Sequence, residues 1–217
     1  MKREIRRFRT ASAMAAFAAG IFKKALLKKP GLFTAALPGG STPLPLFDLL
    51  AGMELPWDRA VFLMTDERLV SASSPRSNFG AAAARFFSRV NIPRRNLLRA
   101  EARDFSRRLA AAAPGGSPDL VVLGLGADGH TASLFPGSPA LKNTSPASFV
   151  TAPPGVQTRR RVTLTLKTIN GAPLVILMAA GAGKKEMFAR AAAGDKKIPA
   201  GLLNPRGKLY LLYSPKE

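Results

Sequence analysis

Leu120-Val121-Val122-Leu123-Gly124-Leu125-Gly126-Ala127-Asp128-Gly129-His130-Thr131-Ala132-Ser133-Leu134-Phe135-Pro136-Gly137 passes from a short apolar run into a glycine-rich loop that carries the one histidine of the chain. Four aliphatic residues without alternation read as a strand buried on both faces, the signature of a parallel sheet. The Gly-x-Gly-x-x-Gly spacing after that strand raises a dinucleotide fold, and two features exclude it. Pro136 and Gly137 interrupt the helix that should follow. No Asp or Glu occurs between Asp128 and Glu186, so none lies about 20 residues on to hold a ribose.

Outward from this segment, short apolar runs alternate with Ala-rich stretches at helical spacing, which is the rhythm of an α/β sheet. Strands are expected at Leu32–Leu37, Ala60–Met64, Leu120–Leu123, Val162–Leu166, Leu174–Ala179 and Leu209–Leu212. Helices are expected at Thr42–Ala51, Asn78–Arg89, Ala102–Ala113 and Lys184–Ala193. Met14, Phe17, Ile21 and Ala25 place a further helix near the start, packed on the core rather than serving as a targeting peptide. Pro114–Pro118 and Asn143–Thr158 are linker-like but short and internal. Residues 1–217 are therefore expected to form a single domain.

At 47% hydrophobic and 21% charged, the chain has the material for a substantial core. It has no cysteine, which excludes disulfides, thiolate metal sites and a cysteine nucleophile, and is compatible with a cytoplasmic location. No run approaches the ~20 apolar residues that span a bilayer, so no membrane partner is expected. Thirty-three Lys and Arg against 13 Asp and Glu leave a net charge of +20, and anionic ligands are expected. The cations come as scattered short groups with little interleaved aromatic, so no specific nucleic acid is expected.

Ligands of open α/β sheets bind outside the carboxyl ends of the strands. The loop after the first such strand reads Pro38-Gly39-Gly40-Ser41-Thr42-Pro43, which serves equally as a phosphate cradle or as a tight turn with a cap. After the second comes Thr65-Asp66-Glu67-Arg68, readable as a site or as solvated loop charge, and then Ser77-Asn78, readable as a helix cap. Imidazole titrates near neutrality, so a general base for activating water would be His130, with Asp128 two residues away, or a strongly perturbed carboxylate. Gly181-Ala182-Gly183-Lys184 opens a helix with a lysine beside its amides, and Arg161 starts another strand-like segment; each is a candidate phosphate cation, though surface charge when taken singly.

In this order the segments Gly39–Pro43, Asp66–Arg68, Ser77-Asn78, Gly124–Gly137, Arg161–Thr165, Gly181–Lys184 and Pro199-Ala200 resemble the 6-phosphogluconolactonase branch of the glucosamine-6-phosphate isomerase/deaminase superfamily. The continuation Thr131-Ala132-Ser133-Leu134-Phe135-Pro136 is specific to the lactonases within it. The resemblance implies a Rossmann-like, mainly parallel sheet with helices on both faces, no cofactor and no metal. It implies hydrolysis of a phosphorylated sugar lactone, 6-phospho-D-glucono-1,5-lactone, by a monomer or small homo-oligomer. His130 would activate the water, Asp128 or a backbone carbonyl would orient its ring, and Gly39, Gly40, Ser41, Thr42, Arg161 and Lys184 would hold the phosphate. Arg68 would lie near the lactone or its phosphate, and Asp66 would stand where deaminases keep a proton-transfer acid. The resemblance departs at Arg76-Ser77-Asn78, where an acid often precedes the serine, and in the shortened stretch between Asn96 and Asp119. An amino-sugar-phosphate isomerase/deaminase and a catalytically silent sugar-phosphate sensor are the rival readings.

Overall fold

The computed structural model describes residues 2–100 and 105–217. Seven strands form one parallel sheet: β1 (Lys2–Arg7), β2 (Phe33–Leu37), β3 (Ala60–Met64), β5 (Leu97–Leu98), β6 (Leu120–Gly124), β9 (Leu174–Ala180) and β10 (Lys208–Ser214), in the order β1-β10-β9-β6-β2-β3-β5. A second, antiparallel sheet joins β4 (Asp66–Arg68), β8 (Arg160–Leu164) and β7 (Ala147–Thr151) in the order β4-β8-β7. The helices are α1 (Ala11–Lys28), α2 (Leu44–Ala51), α3 (Asn78–Arg85), α4 (Phe105–Ala112), α5 (Leu166–Gly171) and α6 (Lys185–Ala193).

β2 and β3 are buried at every position, as their unbroken apolar runs require. Their side chains still alternate between two cores. Ala60, Phe62 and Met64 join one cluster with α1, α2 and α3, whereas Val61 and Leu63 join the other with α4 and α6. The first cluster is an aromatic knot: Phe62 stacks on Phe22 at 6.1 Å and meets Phe86 at 5.2 Å, Phe87 at 5.4 Å and Trp57 at 6.2 Å. Thr10 caps α1 by accepting from the Ala13 amide, and Arg59 closes its far end on the Leu26 and Lys29 carbonyls.

The mainly parallel sheet with helices on both faces is as expected, and the differences from the sequence reading are local. The Arg-rich start forms β1, an edge strand paired with β10, where exposed charge replaces an apolar run. The linker-like Asn143–Thr158 contains β7, so it belongs to the second sheet. The strand expected to end at Leu166 ends at Leu164, because the Thr165 hydroxyl caps α5. α3 stops at Arg85, where Phe86 departs from helical backbone. Part of the expected helix Ala102–Ala113 lies outside the described residues.

β2 and β6 are neighbours, and the chain runs outward in opposite directions from them, to β3 on one side and β9 on the other. This is the switch point at which an open sheet leaves a crevice at its carboxyl edge. Phe62→Ala, at the centre of the aromatic knot, is expected to cost about 3–5 kcal/mol of unfolding free energy. Phe149→Ala, 56% exposed on β7, is expected to change it by less than about 0.5 kcal/mol, and denaturant melts of both variants check the contrast.

Candidate active site

At that crevice lies a cleft of about 320 Å³, lined by the Gly39–Thr42 turn after β2, Asp66 and Arg68 on β4, Asn78 at the start of α3, His130 after β6, Arg161 on β8 and Lys184 after β9. Residues as far apart in sequence as Pro38 and Glu217 meet because each follows, or is tied to, a strand end. Thr65 makes the transfer from the large sheet to the small one. Its amide donates to Leu37 at the end of β2, and its carbonyl accepts from Leu164 on β8, both at 2.8 Å.

Past Thr65, of the charges that could be solvated loop charge, Asp66 and Glu67 are buried and Arg68 is half-buried. Glu67 is 1% exposed and accepts from the amides of Arg68, Asn78 and Phe79 at 2.7–2.8 Å and from the Ser77 hydroxyl at 3.2 Å. Two of those amides belong to the first turn of α3, where a carboxylate is favoured by the free N–H groups and the helix dipole. Ser77 is the cap of α3, as its position implies, accepting from the Gly80 amide. Asn78 goes further than a cap: its side-chain amide donates to the Asp66 carbonyl at 2.8 Å, and its oxygen is buried without a protein partner. Gly39 packs so closely on this amide that a Cβ would overlap it, and Gly40 takes φ +88°, so the turn depends on both glycines.

The His130 imidazole is about one-third exposed, packs against Phe135 with ring centroids 4.7 Å apart, and places Nδ1 2.5 Å from Asp128 Oδ1. Asp128 also accepts from the His130 backbone amide at 3.1 Å. Partial burial works to raise the Asp128 carboxyl, but the amide and imidazole of His130 outweigh it and hold the group below its ordinary value. An ionised carboxylate only accepts, so Nδ1 carries the hydrogen in the neutral ring and Nε2 keeps the lone pair. Asp128 itself does not line the cleft; it stands behind the ring. Gly126 permits the arrangement, since a Cβ there would overlap both His130 and Asp128.

Arg161 is 6% exposed, which removes the surface-charge reading for it. Its Nε and Nη2 donate to the Thr158 and Gln157 carbonyls at 3.0 Å, and its Nη1 lies 3.4 Å from Ser133 Oγ and 3.9 Å from Asp66 Oδ2. Burial lowers its pKa, Asp66 opposes the fall and Arg68 adds to it, and the guanidinium stays charged at neutral pH. Arg68 donates to the Arg76 carbonyl at 2.7 Å, while its Nε is buried without a protein partner. Lys184 is half-buried, and its ammonium makes no hydrogen bond or ion pair among the described residues. Among those residues no group of three or more His, Asp or Glu side chains is placed to hold a metal ion. Asn78, Glu67 and Ser133 were not assigned from the sequence; the signal available was an acid followed ten residues later by a Ser-Asn helix start.

The cleft thus holds an oriented imidazole, three cations and a glycine turn, suited to activating water beside a bound anion. Residues 7–211 match the family model for glucosamine-6-phosphate isomerases/6-phosphogluconolactonases. A 6-phosphogluconolactonase of Nostoc sp. is 37% identical over 203 residues, covering 86% of this chain and 83% of that protein. One of Synechocystis sp. is 37% identical over 200 residues, covering 84% of this chain and 82% of that protein. The crystal structure of 6-phosphogluconolactonase from Thermotoga maritima superposes with a TM-score of 0.89 at 28% identity, covering 98% of this chain and all of that one. With the model match and these identities extending over most of its length, the chain belongs to the glucosamine-6-phosphate isomerase/6-phosphogluconolactonase family.

Proposed function

We propose that this chain hydrolyses 6-phospho-D-glucono-1,5-lactone to 6-phosphogluconate, the ring-opening step of the oxidative pentose phosphate pathway, with His130 as general base. The observation that carries the reading is the His130–Asp128 pair in a cationic cleft: the contact of Nδ1 with Asp128 leaves Nε2 free to take a proton from water. Water adds to the lactone carbonyl as Nε2 accepts its proton. The carbonyl oxygen becomes an oxyanion, the ring C–O bond then breaks, and the departing ring oxygen takes up the proton as the carboxylic acid forms. The leaving alkoxide stays on the same molecule, so no covalent enzyme intermediate is needed.

Arg68 supplies guanidinium donors for the developing oxyanion. Asp66, with Oδ2 engaged by Ser133 and Oδ1 holding only a long 3.4 Å bond from the Asn78 side-chain amide, offers Oδ1 to a sugar hydroxyl. The amides and hydroxyls of Gly39, Gly40, Ser41 and Thr42, with Arg161 and Lys184, hold the phosphate, and that remote binding energy sets the carbonyl against the water. The net charge of +20 raises the encounter rate with a dianionic substrate.

The test is acceleration of lactone opening above its spontaneous rate by purified protein; turnover of glucosamine 6-phosphate in place of the lactone would overturn the reading. In that assay His130→Asn is expected to lower kcat by roughly two to four orders of magnitude with a smaller change in KM. Asp128→Asn, which removes the ionised acceptor from Nδ1, is expected to lower kcat by roughly one to two orders. Lys184→Ala removes a cation that ties up no other part of the described chain, and should raise KM for the phosphorylated lactone roughly 10- to 150-fold at low salt. Its turnover of unphosphorylated gluconolactone should hardly change, because that substrate has no phosphate for the lysine to hold. Arg161→Ala is less clean, since it also strips donors from the Thr158 and Gln157 carbonyls.

A further inference from the structure

Ser133 lies three residues beyond His130, is fully buried, and stands where three parts of the site converge. Its hydroxyl donates to Asp66 Oδ2 at 2.5 Å, within the range of a charge-assisted bond. The same oxygen faces Arg161 Nη1 at 3.4 Å, and the Ser133 amide donates to Thr163 Oγ1 at 3.2 Å. Asp66 and Thr163 are cross-strand partners on β4 and β8, so one serine spans the ladder that carries Asp66 and Arg161. The segment is shaped for this. Thr131 anchors it on the Gly124 carbonyl at 2.9 Å, Leu134 closes the turn on Thr131, and Ala132 between them takes φ +50°, a left-handed backbone that alanine rarely adopts. Strain of that kind persists only where the surroundings over-determine it.

We propose that Ser133 is a positioning residue that registers the His130 loop on the Asp66–Arg161 pair, holding Asp66 Oδ2 so that Oδ1, which otherwise takes only a long 3.4 Å bond from the Asn78 side-chain amide, faces the substrate ring. The inference rests on the lactonase reading above. Without the hydroxyl, Asp66 loses its shortest hydrogen bond, and the loop bearing His130 loses its side-chain tie to the strand pair. Because Ser133 acts on the ring-facing carboxylate and on the loop of the base, its removal should slow the reaction whether or not the sugar carries a phosphate. That behaviour is opposite to what is expected of Lys184.

The experiment is a double-mutant cycle with Ser133→Ala, Asp66→Asn and their combination, alongside the near-isosteric Ser133→Cys, assayed on phosphorylated and unphosphorylated lactone. Ser133→Ala and Ser133→Cys should each lower kcat roughly 10- to 100-fold by similar factors on both substrates, with thermal midpoints close to wild type. The double variant should be within about threefold of Asp66→Asn alone, since a serine that works through Asp66 has nothing left to position. A wild-type kcat in Ser133→Cys, losses that multiply in the double variant, or a loss confined to KM for the phosphorylated substrate would each overturn the proposal. Failure of both serine variants to fold would make Ser133 a structural residue and overturn it too. A wild-type protein that does not accelerate lactone opening would instead overturn the function reading, so the two failures are distinguishable.

Discussion

A carboxylate buried at the end of a buried strand must be met by several donors, and Glu67 is met by four, three of them backbone amides. Two of those amides open α3, so the electrostatic demand of one side chain ties the start of a helix to β4. β4 in turn pairs with β8 residue for residue, Asp66 opposite Thr163 and Arg68 opposite Arg161. Asn78, held by the same cradle, presses against the glycine turn after β2. The polar wall of the cleft is thus a consequence of satisfying one buried acid.

The cleft also depends on close approach. Gly126 lets the Asp128–His130 pair fold back over its own loop, and Gly39 lets the β2 turn lie on Asn78. Either contact would be occupied by a Cβ in any other residue, so backbone and side chain share space that only glycine leaves empty. Arg161 is fixed from behind by two carbonyls and a nearby hydroxyl while the Lys184 ammonium has no partner among the described residues, so the two cations differ in kind. A preorganised guanidinium loses little entropy on meeting an anion, whereas a free ammonium adapts to it.

Much of the architecture was legible along the chain because it rests on local pattern. Unbroken apolar runs at Ala60–Met64 and Leu120–Leu123 announce strands covered on both faces. β1 was not legible, since Lys2–Arg7 is charged and becomes a strand only by extending an existing sheet edge. β7 was hidden in a Pro- and Ser-rich stretch for a similar reason: its partner β8, not its composition, makes it a strand.

By itself the sequence determined the strand–loop order, the uniqueness of His130 and the family motifs, because each is a property of residue type and spacing. It could not determine which charges are buried. Glu67 and Arg161 look like any loop acid or surface arginine until the sheet closes, and desolvation then makes each demand partners from distant segments. Nor could it single out Ser133 from its neighbours in the loop, because its partners Asp66 and Arg161 lie 67 residues before it and 28 after it. Only tertiary structure decides such pairings, since burial and hydrogen-bond geometry are set by the packing of strands that spacing in sequence does not encode.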